Sequence, residues 1–371
     1  MSKLNFRFLP VLLLLFCARL AFATPFLASH RNLRRAGNHL TISGATVSMN
    51  GGTYPRATRL ADGSILAAHT TISGDENIIS VLRSTDNGDS WDDWGTVEQG
   101  VGDIDNPFLV QLPSGRVLCA FRNHSLDGTV YTFFRITICY SDDNGATWAY
   151  LSQPASDPGP GPANGLWEPF MRMSSVSSNT IQLYYSRVNA EDDQDSLMRT
   201  STDGGATWSL AATITGNGVT ARDGMTGVAE FPALSGNLII IFESKDTSAG
   251  GTGLFTVNSC TSSDDGVTWS TSRNRVYTPT GASNNAGAPQ IINIDGVLIA
   301  SFMTDEDTSQ NDWPNGADAK VLTSTDGINW GEKTTVMGVQ SYWPGLLALG
   351  DTSFLLMADY GGAQSQLVVL S

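Results

Sequence analysis

The stretch STDGGATW, Ser201 to Trp208, recurs with small changes as STDNGDSW (Ser84 to Trp91), SDDNGATW (Ser141 to Trp148), SSDDGVTW (Ser262 to Trp269) and STDGINW (Ser324 to Trp330), the last one residue shorter. The closing tryptophans stand 57, 60, 61 and 61 residues apart, and a period of this kind marks a repeat architecture. Within each copy the Ser and Asp side chains bind nearby main-chain groups and Gly supplies the positive φ of a tight reversal. Each copy therefore reads as a hairpin turn. The Trp is expected to open the next strand and to fill space toward a neighbouring sheet. The fifth copy, shortened and carrying Asn329 in place of Thr, is expected to depart from the common geometry.

A second repeat lies between the turns. YPRATRLADGSILAAHT from Tyr54, NPFLVQLPSGRVLCAFR from Asn106, EPFMRMSSVSSNTIQLYYSR from Glu168, GVAEFPALSGNLIIIFES from Gly227, APQIINIDGVLIASFMT from Ala288 and WPGLLALGDTSFLLMADY from Trp343 each comprise two apolar strands joined by a polar reversal. Proline at the second position of five of them is expected to mark the first residues of a strand. The order strand, turn, strand, loop, strand, Asp-containing turn, strand gives six units. Six four-stranded antiparallel sheets around an axis make an all-β, six-bladed β-propeller. The sixth unit lacks its Asp-containing turn, so the segment from His39 to Met49 is expected to supply its fourth strand and close the ring.

The 371-residue chain opens with Lys3, Arg7, an apolar run from Phe8 to Phe16 and the small-residue site Ala21-Phe22-Ala23. Residues 1–23 thus read as a secretory signal peptide and 24–371 as a single propeller domain, secreted and monomeric. Removing the leader moves the net charge from −15 to −18, which disfavours nucleic-acid and acidic-membrane partners. The scattered histidines and cysteines form no metal-ligand spacing, so neither metal nor cofactor is expected. Cys119 and Cys139 fall on neighbouring strands, either bridged or as buried free thiols.

Strand direction assigns faces. If the first strand of each unit runs from the front face to the rear, the Asp-containing turns lie at the rear. Front-face positions near the axis are then the starts of first strands and the ends of second strands. Among the starts are Tyr54, Arg56, Asp105, Asn106, Trp167, Glu168, Arg222, Tyr342 and Trp343; among the ends are Arg122, His124, Glu243 and Lys245. Glu168, between Trp167 and Pro169, and Glu243, after the apolar run Leu238 to Phe242, sit where an apolar environment raises a carboxyl pKa. A converging carboxylate pair is what glycoside cleavage requires. The aromatics Tyr54, Trp167, Tyr342 and Trp343 suit stacking on sugar rings, and Arg56, Asp105, Asn106 and Arg222 suit hydrogen bonds to hydroxyls. His69 and His124 read as ordinary polar positions, and the acidic run from Glu191 to Asp195 as a solvated loop.

The S-x-D-x-G-x-[ST]-W turns resemble the Asp-boxes of sialidases and related six-bladed propellers. Around GLWEPF (Gly165 to Phe170), IIFESKD (Ile240 to Asp246) and SYWPGL (Ser341 to Leu346) the chain most resembles the fungal exo-α-1,5-L-arabinanases of glycoside hydrolase family 93. That resemblance implies a retaining enzyme releasing arabinobiose from linear arabinan or arabino-oligosaccharides, with Glu168 and Glu243 as catalysts and Tyr342 in the pocket. Two alternatives stand beside it: a sialidase-like hydrolase and a non-catalytic carbohydrate-binding propeller. A sialidase grips its substrate carboxylate with an arginine triad, whereas the first unit here reads Tyr54-Pro55-Arg56 and the fifth begins Ala286-Gly287-Ala288-Pro289 without arginine.

Overall fold

Six strands carry a β-bulge at the same place, and these line the axis: Thr53–Arg59, Asp103–Gln111, Leu166–Met173, Ala221–Glu230, Ala286–Ile294 and Ser341–Ala348. The structure is a computed structural model describing residues 39–159, 165–308 and 312–371; the leader reading lies outside them. At each bulge one non-glycine residue takes a positive φ: Tyr54, Asn106, Glu168, Met225, Ala288 and Trp343. In all but Met225 the next residue is proline. Proline therefore marks not the strand start but the bulge inside the strand, where the missing N–H costs no ladder bond.

Each bulged strand is followed by its antiparallel partners. Four sheets have four strands each, and a fifth has eight. The eight-stranded sheet joins one quartet (Leu166–Met173, Ile181–Ala190, Asp193–Ser201, Ala212–Thr215) to a second (Ala221–Glu230, Leu238–Asp246, Phe255–Ser262, Asn274–Tyr277). Among the described residues the strand pairing that joins them is a single parallel one, of Gln194 with Arg222. Among the described residues every regular element is a strand. The bulged strands touch in a closed cycle, each packing against the next and Ser341–Ala348 against Thr53–Arg59. This is a propeller arrangement. Its last sheet has the order Leu40–Ser48, Ala363–Leu370, Ser353–Tyr360, Ser341–Ala348, so the N-terminal strand completes it as expected.

Apolar layers fill the spaces between neighbouring sheets. Leu66, Val81 and Trp148 meet Leu109 and Phe121, and Leu118 and Ile136 meet Leu183, Tyr185 and Trp208. On the closing side, Ile65, Leu82 and Trp91 meet Leu355 and Met357. The tryptophans of the turns thus wedge neighbouring sheets together, although each stands ahead of its strand rather than in it, by one residue in three copies and by four or five at Trp208 and Trp269. The strands begin at Asp92, Ala149, Ala212, Asn274 and Gly331.

The turn chemistry is uniform. Ser201 Oγ donates to Asp203 Oδ1 at 2.8 Å and accepts the Gly205 N–H at 2.9 Å, while Asp203 receives the Thr207 N–H at 2.9 Å and the Thr207 hydroxyl at 2.5 Å. Gly205 has φ +91°, and a Cβ there would lie 3.1 Å from Leu118 and 3.3 Å from Leu151. Contrary to expectation, the shortened fifth copy keeps the network. Asp326 accepts the Asn329 N–H at 2.7 Å and its amide at 2.8 Å, so Asn329 replaces the hydroxyl. The cost falls on Trp330, whose buried Nε1 has no partner among the described residues. Ser201→Ala would strand the buried Gly205 N–H, and the unfolding free energy should drop by about 1–3 kcal/mol. Chemical denaturation would show this as a lower midpoint, with turnover of the folded protein unchanged.

Cys119 and Cys139 face each other across adjacent strands, and with Cys260 they are buried free thiols.

Candidate active site

The register fixes which end of each sheet is remote from the Asp-containing turns. In one sheet Leu238 pairs with Ser262 at the Asp-turn end, while Lys245 pairs with Phe255 at the other. Likewise Ile181 pairs with Ser201, and Leu166 with Arg187 at the opposite end. Glu168 and Glu243 both lie at the ends remote from the turns. There a cavity of about 280 Å³ is lined by Arg122, Trp167, Glu168, Gln194, Arg222, Glu243 and Phe255. Both glutamates predicted from strand direction therefore meet in one cavity.

Glu168 sits on the bulge of its strand with φ +45°. Such a conformation is strained for a non-glycine residue and is kept only where the fold imposes it. Burial pushes its carboxyl up to about 7, against the pull of Arg122, the Ser186 hydroxyl, the Met225 N–H and Arg222. Its Oε2 is buried without a hydrogen-bond partner among the described residues. Glu243 is also raised to about 7, by burial and then by the charge of Glu168, with the Ala288 N–H and Arg222 opposing. Glu243 Oε2 accepts the Ala288 N–H at 2.7 Å. A charge on Glu168 thus favours the protonated form of Glu243. Lys245 is not the cation acting on Glu243, since its ammonium lies over the Phe255 ring, 5.7 Å from the centroid.

Around the pair is a framework of fixed charge. Arg122 donates to Asp103 at 2.8 Å, Asp105 at 3.0 Å and Asn106 at 2.7 Å, and its guanidinium lies 5.1 Å from the Trp167 ring centroid. Asp103 accepts from Tyr131 at 3.0 Å and lies 3.4 Å from His124 Nδ1, while His124 Nε2 donates to the Leu166 carbonyl at 2.8 Å. Despite its burial, Asp103 is held down to about 2 by His124, Arg122 and Tyr131. Arg222 donates to the Glu191 carbonyl at 3.0 Å and to Gln194 Oε1 at 2.9 Å. The fusion point of the eight-stranded sheet is thus also a wall of the cavity.

Of the residues expected to bind substrate, Trp167 and Arg222 line the cavity; the others do not. Tyr54 is buried beneath Arg56, whose guanidinium is 3.9 Å from the ring centroid. Arg56 is itself buried, its Nη1 donating to the carbonyls of Pro55 and Trp343 at 2.9 Å. Asp105 and Asn106 are taken up by Arg122, and Asp105 also accepts from Thr70 at 2.6 Å. Trp343 packs with Tyr54, Met225, Ala288 and Met303, and the Tyr342 hydroxyl donates to the Asn315 carbonyl at 3.1 Å. Tyr54, Asn106 and Trp343 hold the same positive-φ bulge position as Glu168, and what keeps them from the cavity is their partners: Tyr54 lies under Arg56, Asn106 is held by Arg122, and Trp343 packs with Tyr54 and Met303.

Three lining residues were not chosen from the sequence. Arg122 had the right position but no motif, and Phe255 starts a third strand, outside the positions the strand rule admits. Gln194 lies in the acidic run read as a solvated loop. Only part of that run is solvated, for Gln194 is buried and donates to the Asp223 carbonyl at 2.8 Å.

No protein-family model and no curated protein sequence matches the chain. Solved structures do. A family 93 α-L-arabinofuranosidase of Fusarium graminearum, in complex with arabinobiose, superposes with a TM-score of 0.67 at 20% identity over 90% of this chain and 97% of that one. An α-L-arabinanase of Penicillium chrysogenum complexed with arabinobiose gives 0.68 at 19% identity over 89% and 99%. A Hadza microbial sialidase gives 0.60 at 16% identity, over 86% of this chain and 66% of that one. In fold, the chain is an arabinanase-like propeller.

Proposed function

We propose that this chain is a secreted, monomeric, exo-acting glycoside hydrolase on a six-bladed propeller, the eight-stranded sheet counting as two blades, that cleaves α-1,5-linked L-arabinan and releases arabinobiose with retention. The leader-like residues 1–23 support secretion. The observation that carries the activity is the meeting of Glu168 and Glu243 in one cavity, both with carboxyls raised to about 7. Two such carboxyls suit a reaction that moves a proton. Trp167 and Phe255 offer apolar faces to furanose rings, while Arg122, Gln194 and Arg222 offer donors to hydroxyls.

Glu168 is the nucleophile in this reading. Two arginines, a hydroxyl and an N–H favour its charge, and its bare Oε2 has a free lone pair. Glu243, whose proton the charge of Glu168 retains, is the acid. Glu168 attacks the anomeric carbon as Glu243 protonates the departing oxygen; Glu243 then takes a proton from the water that cleaves the glycosyl ester. The sialidase alternative needs arginines free to grip a carboxylate. Arg122 is already held by Asp103 and Asp105, and Arg56 is buried and outside the lining of the cavity.

Product analysis on linear arabinan beside a sialoside tests the reading. Arabinobiose as first product supports it, whereas sialic acid release or an inert protein overturns it. The pH profile of kcat/KM should be a bell near the value of about 7 shared by both carboxyls. Its rising limb follows loss of one proton from the pair and its falling limb loss of the second. A flat profile across that region would exclude the paired carboxyls as acid and nucleophile.

A further inference from the structure

Gly287 lies on the bulged strand Ala286–Ile294, one unit beyond the strand that carries Glu243, and it is buried. Its φ is outside the positive range, so the backbone would accept an ordinary side chain. The space would not. A Cβ at this position would lie 2.5 Å from Glu243 Oε2 and 3.2 Å from the Trp313 ring. Those two groups occupy the place of the missing side chain, and the next residue, Ala288, donates its N–H to the same Oε2 at 2.7 Å.

We propose that Gly287 is a positioning residue for the second glutamate: by carrying no side chain it lets the Glu243 carboxylate lie on the Gly287-Ala288 backbone, held from below by the Ala288 N–H and flanked by Trp313. The inference rests on the reading of Glu243 as acid/base. The atom that a methyl group would meet is the far end of a flexible side chain, so Gly287→Ala costs the fold little. The carboxylate turns away instead and loses its N–H partner. Trp313 stands 3.2 Å from the same point and closes the way on its side, and Phe255, 6.1 Å from Trp313 between ring centroids, extends that wall to the cavity. A displacement of this size at a reacting group reduces turnover by about 10²-fold.

The experiment compares Gly287→Ala with wild type in kcat, KM, pH profile and thermal midpoint, and follows Glu243 by carbon NMR titration of labelled glutamate, assigned with Glu243→Gln. The expected result is a fall in kcat of about 10²-fold with KM and midpoint little changed. The falling limb of the pH profile and the Glu243 titration should both move to higher pH, because the lost N–H favoured the charged form. Unchanged kcat together with an unchanged Glu243 titration overturns the proposal while leaving the hydrolase reading intact. If Glu243→Gln itself keeps full turnover, the acid/base reading fails. The titration then decides alone: an upward shift shows that Gly287 sets the carboxylate, and no shift rejects it.

Discussion

Glu168→Gln is expected to abolish turnover of arabino-oligosaccharides while making the folded protein harder to unfold at neutral pH. Loss of a nucleophile typically costs about 10⁴-fold or more in kcat, whereas loss of a general acid costs about 10²–10⁴-fold. Glu243→Gln should therefore be the milder lesion on substrates with good leaving groups. Stability should move the other way. Glu168 titrates near 4.5 when unperturbed and at about 7 in the fold, so between those values the folded chain binds the extra proton. Stability contributed by the neutral carboxyl is complete below 4.5 and is lost as pH rises through 7. Glutamine, neutral at every pH, does not suffer this loss, and the gain is at most about 3 kcal/mol. Denaturation midpoints of variant and wild type should coincide below 4.5 and separate above 7. If the two proteins unfold together at every pH, Glu168 is not held in the environment described.

Arg122→Met should injure both fold and chemistry. The guanidinium is the shared partner of Asp103, Asp105 and Asn106, and its removal leaves two half-buried carboxylates without their cation. Breaking a buried pair in this way costs about 3–5 kcal/mol. Arg122 is also the strongest influence favouring the charge of Glu168, so its loss moves the rising limb of the pH profile upward. Denaturation and the pH dependence of kcat/KM measure the two effects separately. A variant that loses stability but keeps its profile would show Arg122 to be scaffold only.

The Asp-containing turns were legible in the sequence because their hydrogen bonds lie within a few residues of one another, so residue type and spacing nearly determine the geometry. Glu168 and Glu243 were legible for a different reason. Antiparallel strands alternate direction, and counting them assigns each strand end to a face. What counting misses is which front-face side chains their neighbours already take up. Tyr54 and Trp343 pack together with Met225 and Met303, and Asn106 is held by Arg122, although all three share the bulge position of Glu168. Nor does it foresee reach: Phe255, from a third strand, arrives at the cavity by its size. Gln194 was hidden by its acidic neighbours, and what buries it is a pairing with Arg222 across two quartets that no local pattern encodes.

That single pairing has a mechanical meaning. Elsewhere neighbouring sheets of the ring meet mainly through side chains, with the Ser341 N–H on the Ala317 carbonyl a second main-chain join. The two quartets bearing Glu168 and Glu243 are instead joined at Gln194 and Arg222 by main chain, reinforced by the arginine's grip on Gln194 and on the Glu191 carbonyl. Glu168 and Glu243 thus stand on one hydrogen-bonded sheet, and main chain as well as side chains spans the distance between their strands.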